Sequence, residues 1–466
     1  MAAIPNLKIG SSCGKLCGKK ASVHSPMPPS LTLLHIMSQF RARWQTAPDQ
    51  RKPNNNTQYQ ILDALLAAFS VFFMQSGSFL AHQRLLQTKK GRSNANTLFQ
   101  IEQIPSDPQI RNLLDPLPPA YFQADFWFVL DELKAHGALA SFRSDLNTYL
   151  IPLDGVQYFS SEKISCPECC QRQDRQGVEH FYHSAITPVL VNPGRTQVLP
   201  LPPEFIVPQD GHEKQDCERA AAKRWFAQHA AHFPAYSVTY LGDDLYANQP
   251  LAQVIAEDYH QFFSLVCKPD SHTGLYDWIT MLEKSGGVEE LVQRHWTGRH
   301  GEIWRYRFVA DVPLRNGEHA LHVNWCELVI THEQTGELLY QNAWVTNHPM
   351  NAETVLRIVP AGRTRWKIEN ENNTTLKTKG YHLEHNFGHG QQHLSNVLVT
   401  LNLLAFLVHA VQEITAPAYQ CLRQALGARQ TFFNDLRALT RYVLFDTWDA
   451  LFQFMADGLE ISLLPP

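Results

Sequence analysis

The feature that most constrains this chain is a change of hydrophobic period near residue 148. Upstream, from Tyr59 to His136, apolar residues recur at three- and four-residue spacing, the period of an amphipathic helix, with breaks at "PSDP" and "DPLPP". Downstream, "TYLIPLD" (Thr148 to Asp154), "FYHSAITPVLV" and "TQVLPLPPEFIV" read as three consecutive strands. The segment "EKQDCERAAAKRWFAQHAAHF" then reads as a helix, "YSVTYLGD" as a strand, "QPLAQVIAEDY" as a helix and "HQFFSLVCK" as a strand.

Three strands, then helix, strand, helix, strand, is the order of a ribonuclease-H-like α/β core. Residues 270–345, with "EIWRYRFVADVPL" and "LHVNWCELVITHEQTGELLYQNAWVT", interrupt it as a β-strand-rich insertion, and helix returns at "NAETVLRIV". The expected organisation is a flexible basic tail over 1–52, a helical DNA-binding region over 53–145 and a core in two parts, 146–269 and 346–410, around that insertion. A C-terminal helical region over 411–466 completes it. "RKPNNNTQ" reads as a linker, and "LLQTKKGRSNANTLFQIEQIPSDPQIRNLLD" as two short helices about a basic turn, compatible with a helix-turn-helix.

Charge is distributed unevenly along the chain. Residues 1–100 carry twelve Lys and Arg against two Asp and Glu, and the remainder carries 28 against 42, so a front of +10 precedes a body of −14. Such a front suits a polyanion, and such a body concentrates carboxylates; a solvated tail is the plainer reading of the front. Nine irregularly spaced cysteines do not form a disulfide framework and point to a reducing cytoplasm. No secretory signal is expected from the first 50 residues. The apolar runs "ILDALLAAFSVFFM" from Ile61 and "VLVTLNLLAFLVHAV" from Val397 fall short of the roughly 20 residues a membrane span needs, so both are expected as buried helices.

Three acids fall at telling places. Asp154 ends the first strand, Asp243 ends the fourth, and Glu369 lies on the helix after the insertion. Side chains at strand ends of an open sheet emerge into a shared crevice, and a helix packed over that edge can add a third carboxylate. Carboxylates so placed can hold two divalent cations about 3.5–4 Å apart for phosphoryl transfer, with Mg2+ or Mn2+ suited to an all-oxygen site. Singly, an Asp after a strand is more often a turn residue or a cap.

The stretch around Glu369 resembles the DDE transposases of the IS4-like insertion-sequence group. That family ends its core with a Tyr, an Arg three positions later, a Glu after three more residues and a Lys after six, within an "RWxIE" context. Here "RWKIE" supplies Arg365, Trp366 and Glu369; Gly362 stands at the Tyr position, and seven residues separate Glu369 from Lys377. The resemblance implies that Asp154, Asp243 and Glu369 are catalytic metal ligands and that Arg365 and Lys377 touch DNA phosphates. It also implies binding to double-stranded terminal inverted repeats, strand cleavage and transfer, and a homodimer that pairs two ends on the nucleoid, with no membrane partner. On spacing alone, Arg365 and Glu369 form an i,i+4 ion pair on a wet surface. A ribonuclease-H-like nuclease that never joins strands, and a transposase-derived DNA-binding protein that no longer cuts, are the alternatives.

One cysteine cluster stands apart. "CPECCQRQDRQGVEHFYH" carries Cys166, Cys169, His180 and His183, a C-x2-C followed by two histidines, as in structural zinc sites. In a strand, His180 and His183 point to opposite faces and cannot both ligate, which leaves a reduced turn with a core-facing His as the other reading. His385, His389 and His393 would form a metal-binding stripe in one continuous helix, but Gly388 and Gly390 favour a break and a polar or DNA-backbone role. Of the tryptophans in or beside the insertion, Trp296, Trp304, Trp325 and Trp344, most are expected in the core.

Overall fold

The computed structural model describes residues 31–51, 59–210 and 214–463. Residues 1–30, and 52–58 of the linker, lie outside that range. In chain order come helices α1 (Leu33–Trp44), α2 (Ile61–Phe73), α3 (Phe79–Leu86), α4 (Lys89–Phe99), α5 (Asp107–Leu114) and α6 (Gln123–Ala135). Short strands follow: β1 (Tyr149–Pro152), β2 (Gly155–Ser161), β3 (Cys170–Gln173), β4 (Glu179–Ile186), β5 (Val189–Leu190), β6 (Leu199–Pro200) and β7 (Glu204–Ile206). Then come α7 (Lys214–His229), β8 (Val238–Gly242), α8 (Gln249–Gln253), β9 (Phe262–Val266) and α9 (Thr273–Lys284). Four longer strands, β10 (Glu289–Trp296), β11 (Gly301–Pro313), β12 (His322–His332) and β13 (Leu338–Thr346), precede α10 (Val355–Arg363) and α11 (Thr374–Thr378). The chain closes with α12 (Leu394–Thr415), α13 (Pro417–Leu426), α14 (Arg429–Tyr442) and α15 (Trp448–Gly458).

The central sheet has seven strands in the order β1-β8-β9-β13-β12-β11-β10. β1, β8 and β9 run parallel, and every residue of β1 and β8 is buried, as parallel strands covered on both faces require. On the other side of β1, Leu150 bridges antiparallel to Val191, and β5 pairs antiparallel with β6. Across the core the order is therefore β6, β5, β1, β8, β9.

Two of the expected strands are each divided by proline. Pro188 separates β4 from β5, and Pro202 and Pro203 separate β6 from β7, because proline cannot donate to a ladder. The outer pieces leave the core and build a second sheet, in which β4 pairs with β2, β3 and β7. The strand-rich insertion over 270–345 does not stand apart either. β13 pairs antiparallel with β9, Trp344 opposite Val266, so β10 to β13 continue the central sheet and cover an edge that β9 would otherwise leave open.

The flexible tail expected up to residue 52 is corrected over its described part. Leu33, Ile36, Met37, Phe40 and Trp44 fall on one face of α1 and are buried, and Thr32 caps the helix by accepting the His35 N–H. Trp44 is wholly buried and its Nε1 donates to Asp125 Oδ2 on α6 at 2.8 Å. The Pro, Ser and Lys content of the preceding residues hides this amphipathic run in a composition average.

The helical regions 53–145 and 411–466 share one core. α12 is long and apolar enough to cross a membrane, yet its most apolar window is 94% buried inside the protein, where it packs on α2, α6, β6 and α13. Asn94 on α4 donates to the carbonyls of Thr440 and Val443, both at 2.7 Å, and Trp448 Nε1 donates to Leu98 O at 3.0 Å. An isolated fragment of residues 1–145 would expose the faces that α12, α14 and α15 cover. It is expected to show no cooperative thermal transition by circular dichroism, whereas the whole chain does; a cooperative melt of the fragment would establish it as a separate domain. Within the whole chain, Trp44→Ala is expected to cost about 3–5 kcal/mol in chemical denaturation, and a loss within experimental error would return α1 to the status of a tail.

Candidate active site

The register of β1 on β8 places Pro152 opposite Leu241, and the Leu153 N–H continues the ladder to Leu241 O at 2.8 Å. Two residues beyond that pair, Asp154 and Asp243 leave the C-terminal ends of neighbouring parallel strands level with each other, where strands run about 4.8 Å apart. Asp243 Oδ1 accepts the Leu245 N–H at 3.0 Å, so it also shapes its own turn. Asp244 is committed elsewhere: it accepts the Lys268 N–H at 2.7 Å and the Ser271 hydroxyl at 2.6 Å, and lies 3.5 Å from His272 Nε2.

Glycine beside each aspartate makes room for what packs there. A Cβ on Gly155 would lie 2.6 Å from Glu218 Oε1, and one on Gly242 would lie 2.6 Å from Tyr246 Cβ. Glu218, buried on α7, thus sits over the strand end, and the Tyr246 hydroxyl donates to its Oε2 at 3.4 Å. This fourth carboxylate is not legible as a site residue in the sequence. Its only local trace is the Asp-Gly and Gly-Asp pairs at the two strand ends.

Glu369 lies in a π-helical turn, Ile368–Asn373, between α10 and α11. Its exposed carboxylate accepts from Arg365 Nη1 at 2.7 Å, so the ion pair that the spacing predicts does form. One turn on, Asn373 donates to Asp154 Oδ2 at 3.5 Å and accepts from the Thr187 hydroxyl at 3.1 Å, which stitches this turn to the end of β1. Lys377, on α11, pairs with Glu384 at 2.7 Å. At Gly362 a Cβ would come 2.8 Å from Trp344 Nε1 and 2.9 Å from Ser264 Oγ, so this close helix-to-sheet approach has no room for the family's tyrosine.

Burial, followed by the charges of Glu218 and Glu369, pushes the Asp154 carboxyl up to about 7; Arg365 opposes the shift and Asp243 adds to it. Asp154 therefore feels the other three carboxylates. Like charges gathered at a half-buried strand end, all offering oxygen, are a donor set that fits a hard divalent cation. Asp243 also lines a cleft of about 760 Å³ whose wall includes Arg219, Lys268 and Arg315.

The cysteine and histidine residues resolve differently from the expected set. His180 is corrected: it lies toward the exposed end of β4, with Nε2 3.3 Å from Asp174 Oδ2, while His183 points inward, as strand alternation requires. In its place His389 joins Cys166, Cys169 and His183, and the four ligand atoms lie within 4.8 Å of one another. Among the described residues the three acids do not converge that tightly. The expected break at Gly388–Gly390 is present, and it sends the three histidines of the stripe apart. His385 sits edge-on to Phe387, and the His393 N–H donates to Asp115 O at 3.0 Å. Trp325 and Trp344 are core residues, Trp304 stacks under Arg363, and Trp296 is exposed at the end of β10.

No protein-family model matches the chain, and no curated protein matches it. Among solved structures it is similar to the piggyBac transposase synaptic complex with hairpin DNA, at 9% identity and a TM-score of 0.38, over 94% of this chain and 84% of that one. A likeness at that level bears on no residue or activity here.

The charge cluster has a consequence for stability. A carboxyl raised from 3.8 to about 7 binds a proton in the folded protein that the unfolded chain releases, so stability falls as pH rises from about 4 to about 7 and stays low above. Asp154→Asn removes that charge. It is expected to raise Tm by a few degrees at pH 8 and to change it little at pH 4. Added Mg2+ should raise the Tm of the unaltered protein at pH 8 and not that of the variant. A variant no more stable than the parent at pH 8 would remove Asp154 from a like-charge cluster.

Proposed function

We propose that this chain is a DDE transposase of the IS4-like group, which binds the terminal inverted repeats of an insertion sequence and cuts and joins DNA strands. One observation carries the reading: Asp154 and Asp243 stand level on adjacent parallel strands, beside a helix that brings Glu369 and ties itself to Asp154 through Asn373. The order β6, β5, β1, β8, β9, antiparallel on one side of β1 and parallel on the other, supports a ribonuclease-H-like core. "RWKIE" supports the transposase group.

The π turn accounts for the departure in spacing. On an unbroken α-helix one extra residue would rotate Lys377 by about 100° away from Glu369. A π turn takes up one residue, and so returns Lys377 toward the face that Arg365 and Glu369 share.

Asp154, Asp243 and Glu369 would hold the two Mg2+ or Mn2+ ions, which supply an activated water or 3′-hydroxyl and stabilise the leaving oxygen. With its carboxyl raised to about 7, Asp154 would be held in its ionised form by a bound cation. Arg365 and Lys377, each resting on a glutamate, exchange those partners for phosphates at the cut. Arg219, Lys268 and Arg315 line the path of the duplex into the cleft beside Asp243. Exposed Arg84, Lys89, Lys90 and Arg92, around the start of α4, offer a basic surface of their own to the repeats, so binding weakens steeply with salt. Two chains pair two ends, in the cytoplasm on the nucleoid.

The test is cleavage of a labelled terminal-repeat duplex in Mg2+. Asp154→Asn, Asp243→Asn and Glu369→Gln are each expected to abolish cutting while leaving folding and repeat binding intact. Asp244→Asn keeps an acceptor for the Lys268 N–H and is expected to cut normally. Normal cutting by Glu369→Gln would sink the assignment, since loss of the surface ion pair alone would change little, about 0–1 kcal/mol. Joining of pre-cut ends separates a transposase from a nuclease, and unaltered protein that binds the repeats without cutting would be the silent derivative.

A further inference from the structure

A second cluster lies toward the other end of β2 from Asp154, and its chemistry is different. Cys166 and Cys169 come from the loop between β2 and β3, His183 from the middle of β4, and His389 from the loop before α12. Cys169, His183 and His389 are buried, and Cys166 is partly so.

We infer that Cys166, Cys169, His183 and His389 bind one Zn2+ ion, which staples the β2–β4 sheet to the entry of α12. This inference does not rest on the proposed transposase activity. A tetrahedral zinc with Zn–S of about 2.3 Å and Zn–N of about 2.0–2.1 Å has edges of about 3.8 Å between sulfurs, about 3.5 Å between sulfur and nitrogen and about 3.3 Å between nitrogens. The two Sγ atoms are 3.7 Å apart. His183 Nε2 lies 3.5 Å from Cys166 Sγ and 3.4 Å from Cys169 Sγ, and His389 Nε2 lies 3.3 Å from Cys169 Sγ. The two Nε2 atoms are 3.1 Å apart. Each of these five edges falls within about 0.2 Å of the tetrahedron, and the sixth, from Cys166 Sγ to His389 Nε2, is no longer than 4.8 Å.

The surroundings prepare the same site. His389 Nδ1 donates to Gly390 O at 3.0 Å, the outer hydrogen bond that fixes a ligating imidazole with its Nε2 lone pair turned inward. The Asp115 carboxylate accepts the N–H groups of Gln391, Gln392 and Leu394 at 2.9–3.1 Å, and so holds the loop that carries His389. Tyr158 on β2 stacks on His183, with centroids 5.9 Å apart, and donates to Asn396 on α12 at 2.6 Å. Binding converts two thiols to thiolates and releases two protons per ion. β2 begins immediately after Asp154, so the staple fixes the strand that leaves the acidic site onto the longest core helix.

Elemental analysis of full-length protein purified without chelator is expected to find about one zinc per chain. His389→Ala and Cys169→Ser should bring zinc to near none and lower Tm, whereas His180→Ala should retain it. Should His389→Ala fail to fold, Co2+ loaded into the unaltered protein should give thiolate-to-cobalt charge-transfer and tetrahedral d–d bands. The inference is overturned by unaltered protein that takes up no zinc when Zn2+ is supplied, by Co2+ protein without thiolate bands, or by full zinc retention in His389→Ala. Zinc lost from His180→Ala would equally overturn this ligand set.

Discussion

The parallel pairing of β1 with β8 is the constraint around which the rest is arranged. It ends two strands level with each other and sets Asp154 beside Asp243, an arrangement that mutual repulsion and desolvation both oppose. The surroundings hold it in place: full burial of both strands, the Gly155 and Gly242 approaches, and Asn373 reaching from the helix above. Protonation of Asp154 relieves part of the repulsion, and a divalent cation would relieve more.

The added strands serve the same end. Val266 of β9, Tyr306, Phe308, Cys326, Leu328, Ile330 and Trp344 form a separate apolar cluster with Val355, Ile358 and Val359 of α10. The strands that continue the sheet beyond β9 thereby become the platform on which α10 docks, and α10 leads directly into the π turn carrying Glu369. Without that platform the third acid would have no fixed approach to Asp154. Gly362 marks how closely helix and sheet meet there.

Much of the core was legible because period and punctuation report local structure. The helix at α7, strands β8 and β9, and the acids at the ends of β1 and β8 follow from alternation and turn chemistry within a few residues. Composition misled over α1, whose five buried apolar residues sit behind a polar, basic stretch. The helical regions at the two ends looked separable because linear order gives no sign that Asn94 seeks the carbonyls of Thr440 and Val443. His389 was lost among evenly spaced histidines, and His180 gained a role through spacing that its strand face denies it.

By itself the sequence determined the order of helices and strands, the chain positions of Asp154, Asp243 and Glu369, and the charge contrast between front and body. Each of these is a local property, fixed by hydrophobic period, by turn residues or by simple count. Only the tertiary structure decided that Glu218 joins the acids, that Asp244 turns away, and that His389 meets Cys169 across 220 residues. Period states which face of an element is buried. Which distant side chain lies against that face is set by how the elements pack, and no window along the chain contains both partners.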